Sequence, residues 1–157
     1  MIKKCQNIVQ NSELSSLYPS RILAVQTIYS YYLIKRRKSI AQISSEYIQY
    51  HNLRYIKNNL DLSYYSILVN FTINNIIDID TKIISRLTKQ WKINRLPDLV
   101  LAILRVGVAE VINTQDSKFA IIINDYLQAT KSLNHFDELS FINGVLDKIA
   151  KNDKGPI

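Results

Sequence analysis

The chain has 157 residues, 47% of them hydrophobic, with only three glycines, three prolines and one cysteine. That length and apolar content suffice for one domain with a real core, and they exclude a disordered chain or a disulfide-held miniature fold. The formal net charge is +7 and it is one-sided: through Leu60 nine Lys and Arg face two acids, while eleven bases and eleven acids cancel beyond that point. A polyanionic partner, most often nucleic acid, is one reading of such asymmetry, and a solvated basic surface that aids solubility is the other.

The opening "MIKKCQNIVQ" has two lysines but no apolar core long enough for a signal peptide, and the longest apolar run, Leu99 to Leu104, is stopped by Arg105. No membrane-spanning segment is expected, and the expected location is the cytoplasm. Residues 1–17 are expected to be a flexible extension, followed by one helical domain over 18–150 with halves of about 18–79 and 80–150, and a flexible tail over 151–157.

Helical periodicity runs through the chain. From Ser20, "SRILAVQTIYSYYLIKRR" places Ile22, Val25, Ile28, Tyr29, Tyr32 and Leu33 on one stripe, with Lys35 to Lys38 expected in the last turn, where cations suit the helix dipole. A second helix, "SIAQISSEYIQY", carries Ile40, Ile43, Tyr47 and Tyr50 at helical steps, and the polar "HNLRYIKNNLD" reads as a linker. Asp61 or Ser63 can cap a third helix marked by Tyr64, Ile67, Leu68, Phe71, Asn75 and Ile76. Asp80 is expected to cap a fourth, with Ile83, Ile84, Leu87 and Trp91 turned inward. Pro97 and Asp98 open a fifth, apolar on nearly every side and therefore central. Lys118 to Leu133 forms a sixth, and Asp137 is placed to cap a seventh. The fold class is all-α, with about seven helices in two packed helical subdomains.

The seventh segment, "FINGVLDKIA", contains Asn143-Gly144, a pair that elsewhere marks a hairpin turn. Its apolar residues Phe141, Ile142, Val145, Leu146 and Ile149 follow helical steps and do not alternate, so it is a helix. Gly144 then costs about 1 kcal/mol relative to Ala. Close approach of another backbone within the fold is the favoured explanation, and a partner or ligand is the alternative. Asn143 points to a specific hydrogen-bond partner.

No spacing of Cys5, His51 and His135 suggests a metal site, the glycines are too scattered for a phosphate loop, and no nucleophile elbow occurs. No catalysis and no cofactor are expected. Arg105 interrupts the most apolar helix, and a buried structural pair with Asp147, Asp125 or Glu110 is expected for it.

Four stretches, "SRILAVQTIYS", "RLPDLVLAILRVGVAEV", "AIIINDYLQATKSL" and "FINGVLDKIA", together resemble the bacterial transcription antitermination factor family NusB, in order and spacing from about Ser20 to Ala150. The most specific part is "FINGVLDK", supported by Leu104, Arg105 and Glu110; Asn124-Asp125 stands where the family usually has Asn-Glu. The resemblance implies a non-catalytic, two-part helical fold. It also implies binding of boxA-type RNA together with NusE, a small-subunit ribosomal protein. The complex would join an RNA polymerase antitermination complex that reads through terminators on ribosomal RNA operons, and a homodimer is possible for the free protein. Carried over by position, the RNA-side residues are Lys3, Lys4, Arg21, Tyr29, Asp137, Phe141 and Asn143, with Arg105, Glu110, Gly144 and Asp147 as structural residues. Cations for phosphate, aromatic faces for stacking and amides or carboxylates for base edges suit a single RNA strand. Where the family usually has a run of arginines before its first helix, this chain reads "SSLYPSR". Two other readings are the helical domain of a ribosomal-RNA cytosine methyltransferase and a helical module that binds only protein.

Overall fold

The computed structural model describes residues 17–54, 60–88, 92–114 and 118–152. Among them are seven α-helices and no strand. They are α1 (Tyr18–Leu33), α2 (Ile40–Arg54), α3 (Leu62–Asn74), α4 (Ile76–Arg86), α5 (Asp98–Ile112), α6 (Phe119–Ser132) and α7 (Leu139–Asn152). Short 3-10 turns at Ile93–Arg95 and Phe136–Glu138 lead into α5 and α7. The all-α reading holds. Lys3, Lys4 and Trp91 lie outside the described residues.

Helix α5 is the hub. It packs against α1, α3, α4, α6 and α7, and from Ala102 to Val111 every residue except Arg105 is buried. Pro97 sits at its N-cap and Asp98 in its first turn, where a fixed φ and a negative charge both favour initiation. Helix α3 is capped as expected, the Asp61 carboxylate accepting from the Tyr64 N–H at 2.8 Å.

Several boundaries differ from the expectation, each for a local reason. Helix α3 stops at Asn74 because Asn75 turns its side-chain amide onto the Phe71 carbonyl at 2.8 Å, and α4 begins at once. Asp80 therefore lies inside α4 and caps nothing; its carboxylate is engaged by Arg105. Ile84 faces outward, 51% exposed. Helix α2 runs on through Arg54, so the first residues of the expected linker are helical, and Tyr50 is exposed.

On α1 the buried face is wider than the expected stripe. Leu33 is exposed and Ile22 half-buried, whereas Leu23, Ala24, Ser20, Arg21 and Thr27 are inside, because α1 is covered by α2, α3, α5 and α6. The helix also ends before the basic cluster. The Lys35 N–H donates to the Tyr32 carbonyl and the Arg36 N–H to the Tyr31 carbonyl, both at 3.0 Å, which is the Schellman pattern of helix termination. Its left-handed position, normally glycine, is Lys35 at φ 52°, and Arg36 follows at φ 58°. The equivalent position after α6 is Asn134 at φ 61°, a residue better suited to that conformation.

The close approach expected at Gly144 is found at Gly107 instead. A Cβ at Gly107 would meet the Leu146 side chain at 3.0 Å and Tyr126 at 3.5 Å, so this residue lets α5 approach α7 and α6 closely. A Cβ at Gly144 would meet nothing within 4 Å, so close packing inside the fold does not account for it.

A side chain in the left-handed region costs about 1–2 kcal/mol, partly offset by the greater unfolded-state freedom of glycine. Lys35→Gly should therefore stabilise the fold by about 0.5–1 kcal/mol, read as a higher urea midpoint with unchanged slope.

Candidate nucleic-acid interface

The most deeply buried charged residue among those described is Arg21, 1% exposed. Its Nε lies 2.9 Å from both carboxylate oxygens of Glu110, and its Nη1 donates to Asp125 Oδ2 at 2.7 Å. Two hydroxyls complete the cluster: Tyr126 donates to Glu110 Oε2 at 2.7 Å, and Tyr64 donates to Glu110 Oε1. Residues from α1, α3, α5 and α6 thus converge on one guanidinium and one carboxylate. Burial works against the Arg21 charge, but the hydrogen bonds and negative charge of Glu110 outweigh it and hold its pKa above the usual value. Burial and the Glu110 charge likewise keep the Tyr64 and Tyr126 hydroxyls protonated, well above the ordinary phenol range.

One cation here serves two carboxylates. Glu110 receives the fork of the guanidinium and both tyrosines, while Asp125 holds a single bond to it. Burial, only partly countered by Arg21, accordingly raises the Asp125 pKa above the usual carboxylate range.

This arrangement removes Arg21 from the RNA side. Its guanidinium is consumed by internal partners and does not face solvent, so it cannot meet a phosphate while the cluster stands. The sequence clue was Glu110, an acid set in "RVGVAEVI" just as Arg105 is, which required a buried cation from elsewhere. Arg105 itself takes neither Asp147, Asp125 nor Glu110. It forms a two-pronged pair with Asp80 of α4 at 2.8 and 2.7 Å and lies 4.2 Å from the centre of the Tyr32 ring. Asp147 is instead at the surface, bonded to Lys151 one turn on.

The remaining positions fall in two groups. Asp137 and Asn143 are exposed and Phe141 is half-buried against the core, all at the beginning of α7 and the 3-10 turn before it. Asp137 lies inside that turn, not at a cap of α7. Tyr29 is half-buried on α1 and packs against the core. Helix α7 packs chiefly on α4, α5 and α6. Two further residues belong with this end. Phe136 presents a ring that is 59% exposed beside Asp137. Gly144 lies on the face of α7 shared by exposed Ser140, Lys148 and Lys151, with open space over its Cα. The loop preceding α7 disguised Phe136 in the sequence, since nothing in its spacing separates a surface aromatic from a core one.

The NusB family model matches residues 18–151. The chain belongs to the NusB family. Curated relatives, each described as a transcription antitermination protein NusB, include one from Rickettsia bellii (strain OSU 85-389), 30% identical over 86% of this chain and 90% of its own length. Another, from Bartonella quintana (strain Toulouse), is 29% identical over 84% of this chain and 86% of its own length. Two solved structures share the fold, each with a TM-score of 0.73. A chain in the crystal structure of a plectonemic RNA supercoil is 27% identical, over 85% of this chain and 93% of its own. A chain in a crystal structure of the antitermination factors NusB and NusE in complex with dsRNA is 24% identical, over 88% and 98%. Within this NusB fold the Arg21 cluster is internal scaffolding, and the open surface at the start of α7 is the candidate interface.

Removing Arg21 would leave two buried carboxylates uncompensated, so Arg21→Ala should cost about 3–5 kcal/mol of stability, measured by chemical denaturation. Asp125→Asn should cost less than Glu110→Gln. Because the folded-state pKa of Asp125 lies above its unfolded value, the stability linked to it is complete below the unfolded pKa and declines as pH rises through the folded one. The margin of the wild type over Asp125→Asn should thus be largest below about pH 4 and smallest at neutrality. Gly144→Ala, with nothing in the way, should gain about 1 kcal/mol.

Proposed function

We propose that this chain is a non-catalytic, RNA-binding transcription antitermination factor. It acts in the cytoplasm with the ribosomal protein NusE on boxA-type RNA, within an RNA polymerase complex that reads through ribosomal RNA operons. Membership of the NusB family over residues 18–151 carries the proposal. The chemistry at the start of α7 is consistent with it. Phe136 offers a face for stacking, Asp137 and Asn143 offer groups that read base edges, and Gly144 leaves room for a strand to approach the helix. The basic amino-terminal portion supplies long-range attraction to phosphate.

The test is a fluorescence-anisotropy titration of boxA RNA and a scrambled RNA, each with and without NusE. A preference for boxA that NusE strengthens is expected; equal affinity for both RNAs under both conditions would refute the assignment. Asn143→Ala should weaken boxA binding roughly fivefold, the loss of about one hydrogen bond, with thermal stability not reduced, because its side chain is exposed and Ala is the better helix former.

A further inference from the structure

We infer that the α1–α2 turn, built around Lys35, Arg36 and Arg37, is a second RNA contact: a sequence-independent seat for the phosphate backbone, separate from the surface at the start of α7. The inference rests on the RNA-binding reading above and extends it to a surface with different chemistry.

Three observations converge on it. First, four consecutive cations, Lys35 to Lys38, are exposed. Only Lys38 forms an ion pair among the described residues, with Glu46 at 2.8 Å, which leaves the other three charges without a neutralising acid. Second, the backbone presents them at a cost. Two successive basic residues occupy the left-handed region in a turn whose first such position ordinarily takes glycine. Third, the turn rests on an aromatic support. The Arg36 guanidinium lies 5.2 Å from the centre of the Tyr32 ring, and Tyr31 meets that ring edge-on at 5.2 Å between centroids. Arg105 lies 4.2 Å from the same ring, held there by Asp80. The planar group of Arg36 is thereby oriented before any ligand arrives, while its donors remain available for a phosphate.

The partner this chemistry fits is a nucleic-acid backbone. The charges are clustered on a short turn, Lys35, Arg36 and Arg37 form no ion pair with a carboxylate among the described residues, and the Tyr32 ring lies against Arg36. Leu33 is the exposed apolar side chain beside them, too little surface to hold a membrane. The turn stands roughly 20 Å along α1 from Arg21, as its fourteen-residue separation requires at ~1.5 Å per residue. An RNA strand that engages both the start of α7 and this turn would have to extend over the protein surface.

The experiment compares full-length wild type with Lys35→Asn/Arg36→Asn/Arg37→Gln, and with the milder Lys35→Asn/Arg37→Gln, which leaves Arg36 on its ring. Binding of boxA RNA and of a uridine oligonucleotide of equal length is measured between 50 and 200 mM salt, on variants whose melting temperatures are recorded. If the three cations meet phosphates, the slope of log affinity against log salt should fall by about 2 in the triple variant and about 1.4 in the double, equally for both RNAs. At low salt the triple variant should bind at least about tenfold more weakly. Should the triple variant not fold, the double decides. An unchanged slope in a folded variant overturns the inference while leaving the family function intact. Failure of the wild type to bind either RNA overturns both. Cosedimentation with phosphatidylserine–phosphatidylcholine vesicles is run in parallel. Vesicle binding that the triple variant loses, while its RNA slope stays that of the wild type, would assign the turn to lipid and likewise overturn the inference.

Discussion

The guanidinium of Arg21 and the carboxylate of Glu110 hold together four helices that are distant in sequence. Burial of either group alone would be strongly unfavourable, and each is tolerable only because the other, Asp125 and two tyrosine hydroxyls complete its hydrogen bonding. The apolar surfaces around the cluster, such as Leu23, Ile103 and Ile122, could pack in more than one rotational setting. The polar groups could not. We regard the cluster as what sets the rotation of α1 against α5 and α6, with the buried Thr27–Tyr65 hydrogen bond fixing α1 against α3.

That constraint governs where function can lie. With α1 turned so that Arg21 and Thr27 face inward, its interior face has no capacity left for a ligand, and its cations are displaced to the turn that follows Leu33. Three residues before Glu110, Gly107 admits Leu146 and draws α7 close, and the outer face of α7 is open around Gly144. The start of α7 and the α1–α2 turn are the exposed regions this packing leaves for the interfaces proposed above.

Much of this organisation was legible in the sequence. The number of helices, the centrality of α5, the Asp61 cap and the helical nature of the Asn143-Gly144 segment all follow from periodicity and capping chemistry, which are local. The failures were of another kind. Arg21 read as a surface cation because nothing beside it in the chain announces Glu110 or Asp125, which lie 89 and 104 residues away. The partner of Arg105 was sought among Asp147, Asp125 and Glu110, whereas Asp80 read as a helix cap, although α4 begins at Ile76 and places it inside the helix. Gly107 looked incidental and Gly144 looked structural, because sequence shows a missing side chain but not what stands opposite it. Pairings of charge and matched shapes are properties of the folded whole.

The span of the Arg21 contacts has a consequence for synthesis. A ribosome releases the first helix long before residues 110 and 125 have left the tunnel, and until then this arginine has no counter-charge to be buried with. The early chain can collect its apolar surfaces, but it cannot close them over an unneutralised guanidinium. Final docking of the first helix must wait for the last third of the polypeptide.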